Sequence, residues 1–323
     1  MTDQSHAGVA GNGKRRVAAI DCGTNSIRLL VADLPEPDAP SEAPLTDLVR
    51  RMEIVRLGAG VDRSGRLAPE AIERTRVAVA EYATQAASFG VDRMRMVATS
   101  ASRDASNAAD FRAMVRATIG IEPEVISGDE EARLSFSGAV RGLSDSAIAP
   151  YLVVDIGGGS TEFATGTDSV QRATSIDIGS VRVTERHFAT DPPTAAEIET
   201  AERDIAADVR RALDTVAAEN ANTLVGLAGS VTTVAGIALG LDAYDPRRTH
   251  RARITLAQVD DVTADLLRKT SAERRASPVM HPGRADIIAA GALILRTVMV
   301  ESGADVVVAS EHDILDGIAW SLT

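Results

Sequence analysis

Lysine, cysteine and aromatic side chains are all scarce in this chain. Of its 34 basic residues only Lys14 and Lys269 are lysines, so almost all positive charge sits on guanidinium groups, whose planar fork suits a bidentate grip on phosphate. The formal net charge is −12. An acidic chain binds a polyanion only where its arginines are gathered locally, so general nucleic-acid binding is disfavoured. Cys22 is the lone cysteine. That excludes an intrachain disulfide and any cysteine-based zinc or iron–sulfur site, and it fits a reducing, cytoplasmic setting. Aromatics make up 3% of the residues, which leaves Ala, Val, Leu and Ile to build the core and suits helices packed on sheet. Long apolar runs are missing too. The uncharged stretch 224–241 has the 18 residues of a membrane span, but it contains Gly226, Gly229, Gly236, Gly240, Ser230, Thr232 and Thr233. It reads better as a strand, a glycine turn and a buried helix. The N-terminus lacks an apolar signal-like segment, and residues 1–15 read as a disordered tail.

What is present is a soluble, globular composition, 45% hydrophobic and 25% charged over 323 residues, enough for two domains. The most informative stretch is Tyr151–Ala164, in which the buried-strand pattern Leu152–Val154 ends on Asp155. Gly157, Gly158 and Gly159 follow, then Ser160, Thr161 and Glu162. Glycines let backbone N–H groups close in on an anion, the hydroxyls add donors, and the carboxylates are hard oxygen ligands suited to Mg²⁺. The combination suggests a cradle for phosphate and metal.

The same hairpin recurs 134 residues earlier. Asp21 aligns with Asp155, Gly23 with Gly157, Ser26 with Ser160, and Arg28 with Glu162. A duplicated strand–turn–strand, with strands and helices alternating after each copy, predicts two α/β domains facing a shared cleft. A phosphate chain there would lie between Gly157–Thr161 and the Thr24, Asn25, Ser26, Arg28 turn, with Asp21, Asp155 and Glu162 as oxygen ligands for Mg²⁺.

The remaining pattern predicts a strand over 48–57, a turn over 58–65, a helix over 69–89 with Pro69 near its start, and a strand over 94–98. The hydroxyl-rich loop Thr99–Asp104 follows, with Arg103 on a phosphate-side loop or Ser102 and Asp104 as helix caps. Helices are expected over 108–119 and, after Ser127, to about residue 140. Acidic residues open that second helix, and Glu130 reads as a complement to the helix dipole. Further helices are expected over 183–188, 194–219 (with a Thr194/Glu197 capping box), 231–239, 287–300 and 313–322. Gly229 and Ser230 form a second turn where a phosphate could meet a helix N-terminus. The basic run Arg247–Arg253 is a solvated loop or a polyanion track. The apolar C-terminal helices are either core or an interface for a homodimer.

Five segments occur together in a particular order: Ala19–Ser26, Ala98–Arg103, Ser127–Leu134 with its Gly-Asp-Glu-Glu-Ala-Arg-Leu, Val154–Glu162 and Gly229–Ser230. In these the chain resembles the exopolyphosphatase and guanosine pentaphosphate phosphatase (Ppx/GppA) family. The resemblance implies two actin-like ATPase (ribonuclease H-like) domains, spanning residues 16–128 and 129–309, with residues 310–323 returning to the first. It also implies that Glu131 is the general base that activates water against a terminal phosphorus, with Asp155, Gly157, Ser160 and Glu162 binding phosphate and metal. By position and chemistry, Arg28 and Arg103 would clamp phosphate. Long members of that family carry further C-terminal helices, whereas this chain resembles the short, two-domain form, which points to short-chain polyphosphate. The expected activity is Mg²⁺-assisted exopolyphosphatase. Removal of the 5′-terminal phosphate of pppGpp is the alternative within the class, and a small-molecule kinase or a non-catalytic alarmone sensor are the alternatives outside it.

Overall fold

Two sheets built on one plan account for most of the chain. The computed structural model describes residues 15–40, 43–141, 143 and 147–323, so all of the expected N-terminal tail except Arg15 lies outside the described residues. The first sheet contains β1 (Arg16–Cys22), β2 (Ser26–Asp33), β3 (Thr46–Ile54), β4 (Arg93–Ala98) and β5 (Glu124–Val125), in the order β3-β2-β1-β4-β5. Its helices are α1 (Val61–Ser64), α2 (Pro69–Ser88), α3 (Ser100–Asp104) and α4 (Ala108–Ile119), and α5 (Gly128–Val140) follows β5. The second sheet holds β6 (Tyr151–Ile156), β7 (Thr161–Gly166), β8 (Val170–Ile176), β9 (Thr223–Leu227), β10 (Arg253–Thr255) and β11 (Val306–Ala309), in the order β10-β11-β9-β6-β7-β8. Between its strands run α6 (Ser180–His187), α7 (Ala195–Val216), α8 (Ala228–Ala238), α9 (Pro246–Thr249), α10 (Leu256–Arg268), α11 (Ser271–Arg275) and α12 (Ile288–Ser302), and α13 (Ile314–Trp320) closes the chain.

The duplication seen in the sequence is present in the topology. β1-β2-β3 and β6-β7-β8 are antiparallel meanders, and each first strand gains a parallel neighbour, β4 or β9. β5 and β11 then add in parallel, and β10 is an antiparallel edge strand. This is the actin-like, ribonuclease H-like order in both halves. The register matches as well, with Asp21 opposite Arg28 and Asp155 opposite Glu162.

Both faces of β1 are covered, so its residues sort by period two. Ala18, Ile20 and Cys22 pack with Val79 and Tyr82 of α2 and Phe111 of α4. Val17 and Ala19 pack with Ile314, Leu315 and Ile318 of α13, so the C-terminal helix returns to the first sheet. The second sheet buries Leu152, Val154 and Ile156 against α7, α8, α10 and α12, and Tyr151 and Val153 against Ala132, Phe136 and Ala139 of α5. Helices α5 and α13 meet backbone to backbone. A Cβ on Gly138 would fall 1.8 Å from the Asp313 carbonyl oxygen, and one on Gly317 would fall 2.0 Å from that of Leu134. Both C-terminal helices, α12 and α13, are buried in this chain's own core.

Several local expectations shift. Residues 100–104 are helix rather than loop, and the helix expected from residue 231 begins at Ala228, so Gly229 and Ser230 lie in its first turn. The basic run 247–253 spans most of α9 and the first residue of β10, and α10 follows, held by a Thr255/Gln258 capping box. Among the described residues no helix is long and apolar enough to cross a membrane.

Candidate active site

The parallel strands β1, β4, β6 and β9 all run toward one cleft, the usual place for a ligand in α/β sheets. Their carboxyl ends deliver the Gly23–Asn25 turn, Thr99–Ser100, the Gly157–Gly159 loop and the start of α8 to a single cavity of about 80 Å³. Asp21, Thr24, Asn25, Ser26, Arg28, Glu131, Asp155, Gly157, Gly158, Gly159, Ser160, Gly229 and Ser230 all line it. The two hairpins touch. A Cβ on Gly159 would fall 2.4 Å from Ser100 Oγ and 2.5 Å from Thr24 Oγ1, so a side chain there would push the jaws apart.

The loop has the hydrogen-bonding polarity of an anion cradle. The carbonyls of Gly157 and Gly158 accept from the backbone N–H groups of Ser180, Val181 and Arg182 at the start of α6, and the Gly159 carbonyl accepts from Arg182 Nε at 2.7 Å. The Gly157 N–H closes the turn on the Ser160 carbonyl, while among the described residues the N–H groups of Gly158, Gly159 and Ser160 donate to no protein group. Successive free N–H groups in a glycine turn form an anion-binding nest.

Glu131 reaches the cavity from the first turn of α5, which Ser127 caps by accepting from the Glu130 N–H. Burial raises the Glu131 pKa to about 8, against the opposing pull of Arg103 and with the help of Asp21 and Asp155. Asp155 is raised to about 6, first by burial and then by Asp313, while Arg28 and a hydrogen bond from Ser135 Oγ (2.7 Å) lower it. Burial also raises Asp21, against the pull of Arg28. Burial thus brings Glu131 and Asp155 near neutrality, where proton transfer is most effective.

Three expected ligands do not line the cavity. Arg103 Nη1 donates instead to Glu131 Oε2 and to the Ile126 carbonyl, each at 3.1 Å. The Thr161 hydroxyl is used inward, donating to the Ile178 carbonyl at 2.7 Å. Glu162 stands behind Asp155, fully buried and accepting from Ser175 Oγ at 2.8 Å, and burial raises its pKa well above the usual carboxylate range. Arg28 is in place but bracketed, bonded to Asp21 (2.6 Å) and to Asp313 at the start of α13.

A second cavity, of about 440 Å³, adjoins the first and shares Arg28, Ala228, Gly229 and Arg284 with it. Arg284 is not among the residues that the sequence patterns single out. Its guanidinium makes no hydrogen bond or ion pair among the described residues, and burial lowers its pKa. It lies against the first turn of α8, where a Cβ on Gly229 would fall 0.9 Å from Nη1. Gly229 therefore makes room for an arginine.

Among the described residues no three His, Cys, Asp or Glu side chains form a ready metal cluster. Mg²⁺ does not need one, because it keeps waters and takes one or two carboxylates plus substrate phosphates. Asp21 Oδ1 and Thr24 Oγ1 are buried without a hydrogen-bond partner, and unsatisfied acceptors of this kind fit a hydrated cation. Asp21 and Asp155 suit that role. Glu162, turned to Ser175 and outside the cavity lining, does not.

Comparisons with known proteins identify the family. The sequence matches the Ppx/GppA phosphatase family over residues 38–322. It is 49% identical over 316 residues to Exopolyphosphatase 2 of Mycobacterium tuberculosis, covering 95% of this chain and 98% of that protein. Among solved structures, an exopolyphosphatase-like protein superposes with a TM-score of 0.89 at 42% identity, covering 95% of this chain and 98% of its own. The Aquifex aeolicus member of the Ppx/GppA family gives 0.79 at 30% identity, covering 96% and 98%.

Proposed function

The chain belongs to the Ppx/GppA phosphatase family, and from that premise we propose that it is an exopolyphosphatase, a hydrolase that removes the terminal phosphate of inorganic polyphosphate. The observation that supports this reading most directly is the buried Glu131 carboxylate beside a nest of free N–H groups in a cavity sized for a phosphoryl group. The terminal phosphate sits in the nest, held by the N–H groups of Gly158, Gly159 and Ser160. Arg28 and Arg284 neutralise the chain where the small cavity opens into the larger one. Arg103 occupies Glu131 Oε2 and leaves Oε1 for a water. As that water's oxygen bonds to phosphorus, its proton passes to Glu131 and the bond to the bridging oxygen breaks, leaving the shortened chain with the electron pair. Mg²⁺ held at Asp21 and Asp155 would offset charge on the phosphate oxygens. The lone, buried Cys22 supports a cytoplasmic setting.

A second substrate is favoured by a specific feature of the larger cavity. Met52, Val279 and Met280 line it beside Arg50, Arg51 and Arg284, a mixture suited to a nucleoside as well as to phosphates, so removal of the 5′-terminal phosphate of pppGpp is the alternative. Phosphate release from short, defined-length polyphosphates, long polyphosphate and pppGpp, each with Mg²⁺ and with chelator, separates the two. Release from a polyphosphate supports the first reading. Release from pppGpp alone replaces it with the second, and release from neither overturns both.

A further inference from the structure

We propose that Arg182, on α6, is a positioning residue that ties the phosphate cradle of the second sheet to the helix of the first sheet that carries Arg103. The inference rests on the reading of the glycine loop as cradle and of Glu131 as base. One guanidinium joins four groups from the glycine loop, α1 and α3. Nε donates to the Gly159 carbonyl at 2.7 Å, Nη1 to Asp62 of α1 at 2.8 Å, and Nη2 to Asp104 of α3 and to Ser100 Oγ, the last at 3.4 Å. Ser100 lines the small cavity. Asp104 directly follows Arg103, whose guanidinium holds Glu131. The path from cradle to base therefore passes through Arg182, then α3, then Arg103.

The surroundings are built to hold this contact. Arg186, one turn along α6, grips the same Asp62 with two bonds of 2.7 Å, which makes an alternating row Arg186, Asp62, Arg182, Asp104. The next residue back, Glu185, accepts from the Gly60 N–H at 3.0 Å, so three residues of α6 engage the first half of the chain. The side chains of Arg182 and Asp62 are only 11% and 18% exposed. Charge-assisted bonds so shielded resist salt better than surface pairs do. Without the guanidinium, the Gly159 carbonyl and two carboxylates lose a shared donor. The loop then loses the bond that fixes the orientation of the Gly159 peptide, and with it the aim of the neighbouring N–H groups.

The expected signature is kinetic. The rest of the substrate is gripped in the larger cavity, which Arg182 does not line, so its loss should weaken turnover more than binding. For Arg182→Gln we expect kcat to fall by about ten- to a hundredfold, the scale of a small misplacement of reacting groups, with KM changed by less than about threefold. Arg182→Lys, which keeps the charge but cannot span four partners, should recover part of the loss. Arg210→Gln, which breaks an equally tight pair with Glu301 away from the cleft (2.6 Å), should change neither constant. Amide hydrogen exchange in the resting protein gives a readout free of substrate: the amides of Ser180 and Val181, which donate to the Gly157 and Gly158 carbonyls, and those of Ser102 and Arg103, which donate to the Thr99 carbonyl, should exchange about tenfold faster in Arg182→Gln than in wild type or Arg210→Gln. If Arg182→Gln does not fold, the same exchange comparison is made on Arg182→Lys. Unchanged exchange in both segments, or a kcat equal to that of wild type, overturns the proposal. Should the wild type release no phosphate from any substrate, the proposed function falls, and the exchange experiment still decides the role of Arg182.

Discussion

Replacing Arg103 with glutamine should move the pH profile of the enzyme toward alkali. Arg103 Nη1 lies 3.1 Å from Glu131 Oε2, and it is the cation that opposes the upward push of burial on that carboxyl. A hydrogen bond to a charged group contributes about 1.5–3 kcal/mol, equivalent to about one to two pH units. Because the Arg103 side chain is 25% exposed, solvent screening places the expected displacement near the lower value, about one pH unit. If Glu131 must be ionised to take a proton from water, the acid limb of kcat/KM lies about one unit higher in Arg103→Gln than in the wild type, because Arg103 is the cation that lowers that carboxyl. The assay is initial-rate phosphate release between about pH 6 and pH 10 at saturating Mg²⁺. The substrate's own terminal phosphate also titrates, but it does so identically for both proteins, so the difference between them isolates Glu131. Superimposable limbs, or an Arg103→Gln limb displaced toward acid, would refute the reasoning.

Gly229→Ala should leave urea stability nearly intact, because its Cβ meets only the flexible end of Arg284. It should nevertheless raise KM by about tenfold as that guanidinium is displaced, which steady-state kinetics would show. Gly138→Ala puts a methyl against the Asp313 backbone and should destabilise the fold by about 1–3 kcal/mol or more in urea melts. The resting protein should become less stable between pH 6.5 and 8. Folded Glu131 keeps its proton to about 8 instead of 4.5, so the folded state binds more protons than the unfolded one and unfolding becomes easier as pH rises. Below pH 6.5 this trend is opposed by His250, pushed down to about 4 mainly by burial. Urea midpoints at the two pH values test the sign, and Glu131→Gln should flatten the difference. Asp21→Asn removes a buried carboxylate with an unpartnered oxygen. It should raise the Mg²⁺ concentration needed for half-maximal activity, read from a metal titration.

Local chemistry was legible in the sequence wherever a short pattern carried it. The Asp21 and Asp155 hairpins announced themselves through glycines and carboxylates at a fixed offset, and the structure places them at equivalent ends of two like-ordered sheets. The Gly-Asp-Glu-Glu-Ala-Arg-Leu segment pointed to Glu131, which lines the cavity, and the helix expected after Ser127 begins at Gly128. What stayed hidden depends on contacts between distant segments. Nothing near Arg28 signals that Asp313, 285 positions away, will hold it. Arg284 reaches the cavity only because α8 and the segment before α12 come together at Gly229. Position and chemistry point Arg103 at phosphate, yet its carboxylate partner is Glu131. Thr161 and Glu162 follow the glycine loop in sequence, but as the first residues of β7 they turn into the sheet, where Ile178 and Ser175 satisfy them.

The most direct test of the account is Glu131→Gln, assayed beside the wild type on a defined-length polyphosphate with Mg²⁺, with phosphate release and substrate binding measured on the same preparations. A carboxylate acting as general base contributes about 10²- to 10⁴-fold, so the account predicts a loss of that size in release. Binding should stay within about threefold, since the cradle and its arginines remain. A glutamine variant that releases phosphate at the wild-type rate would contradict it.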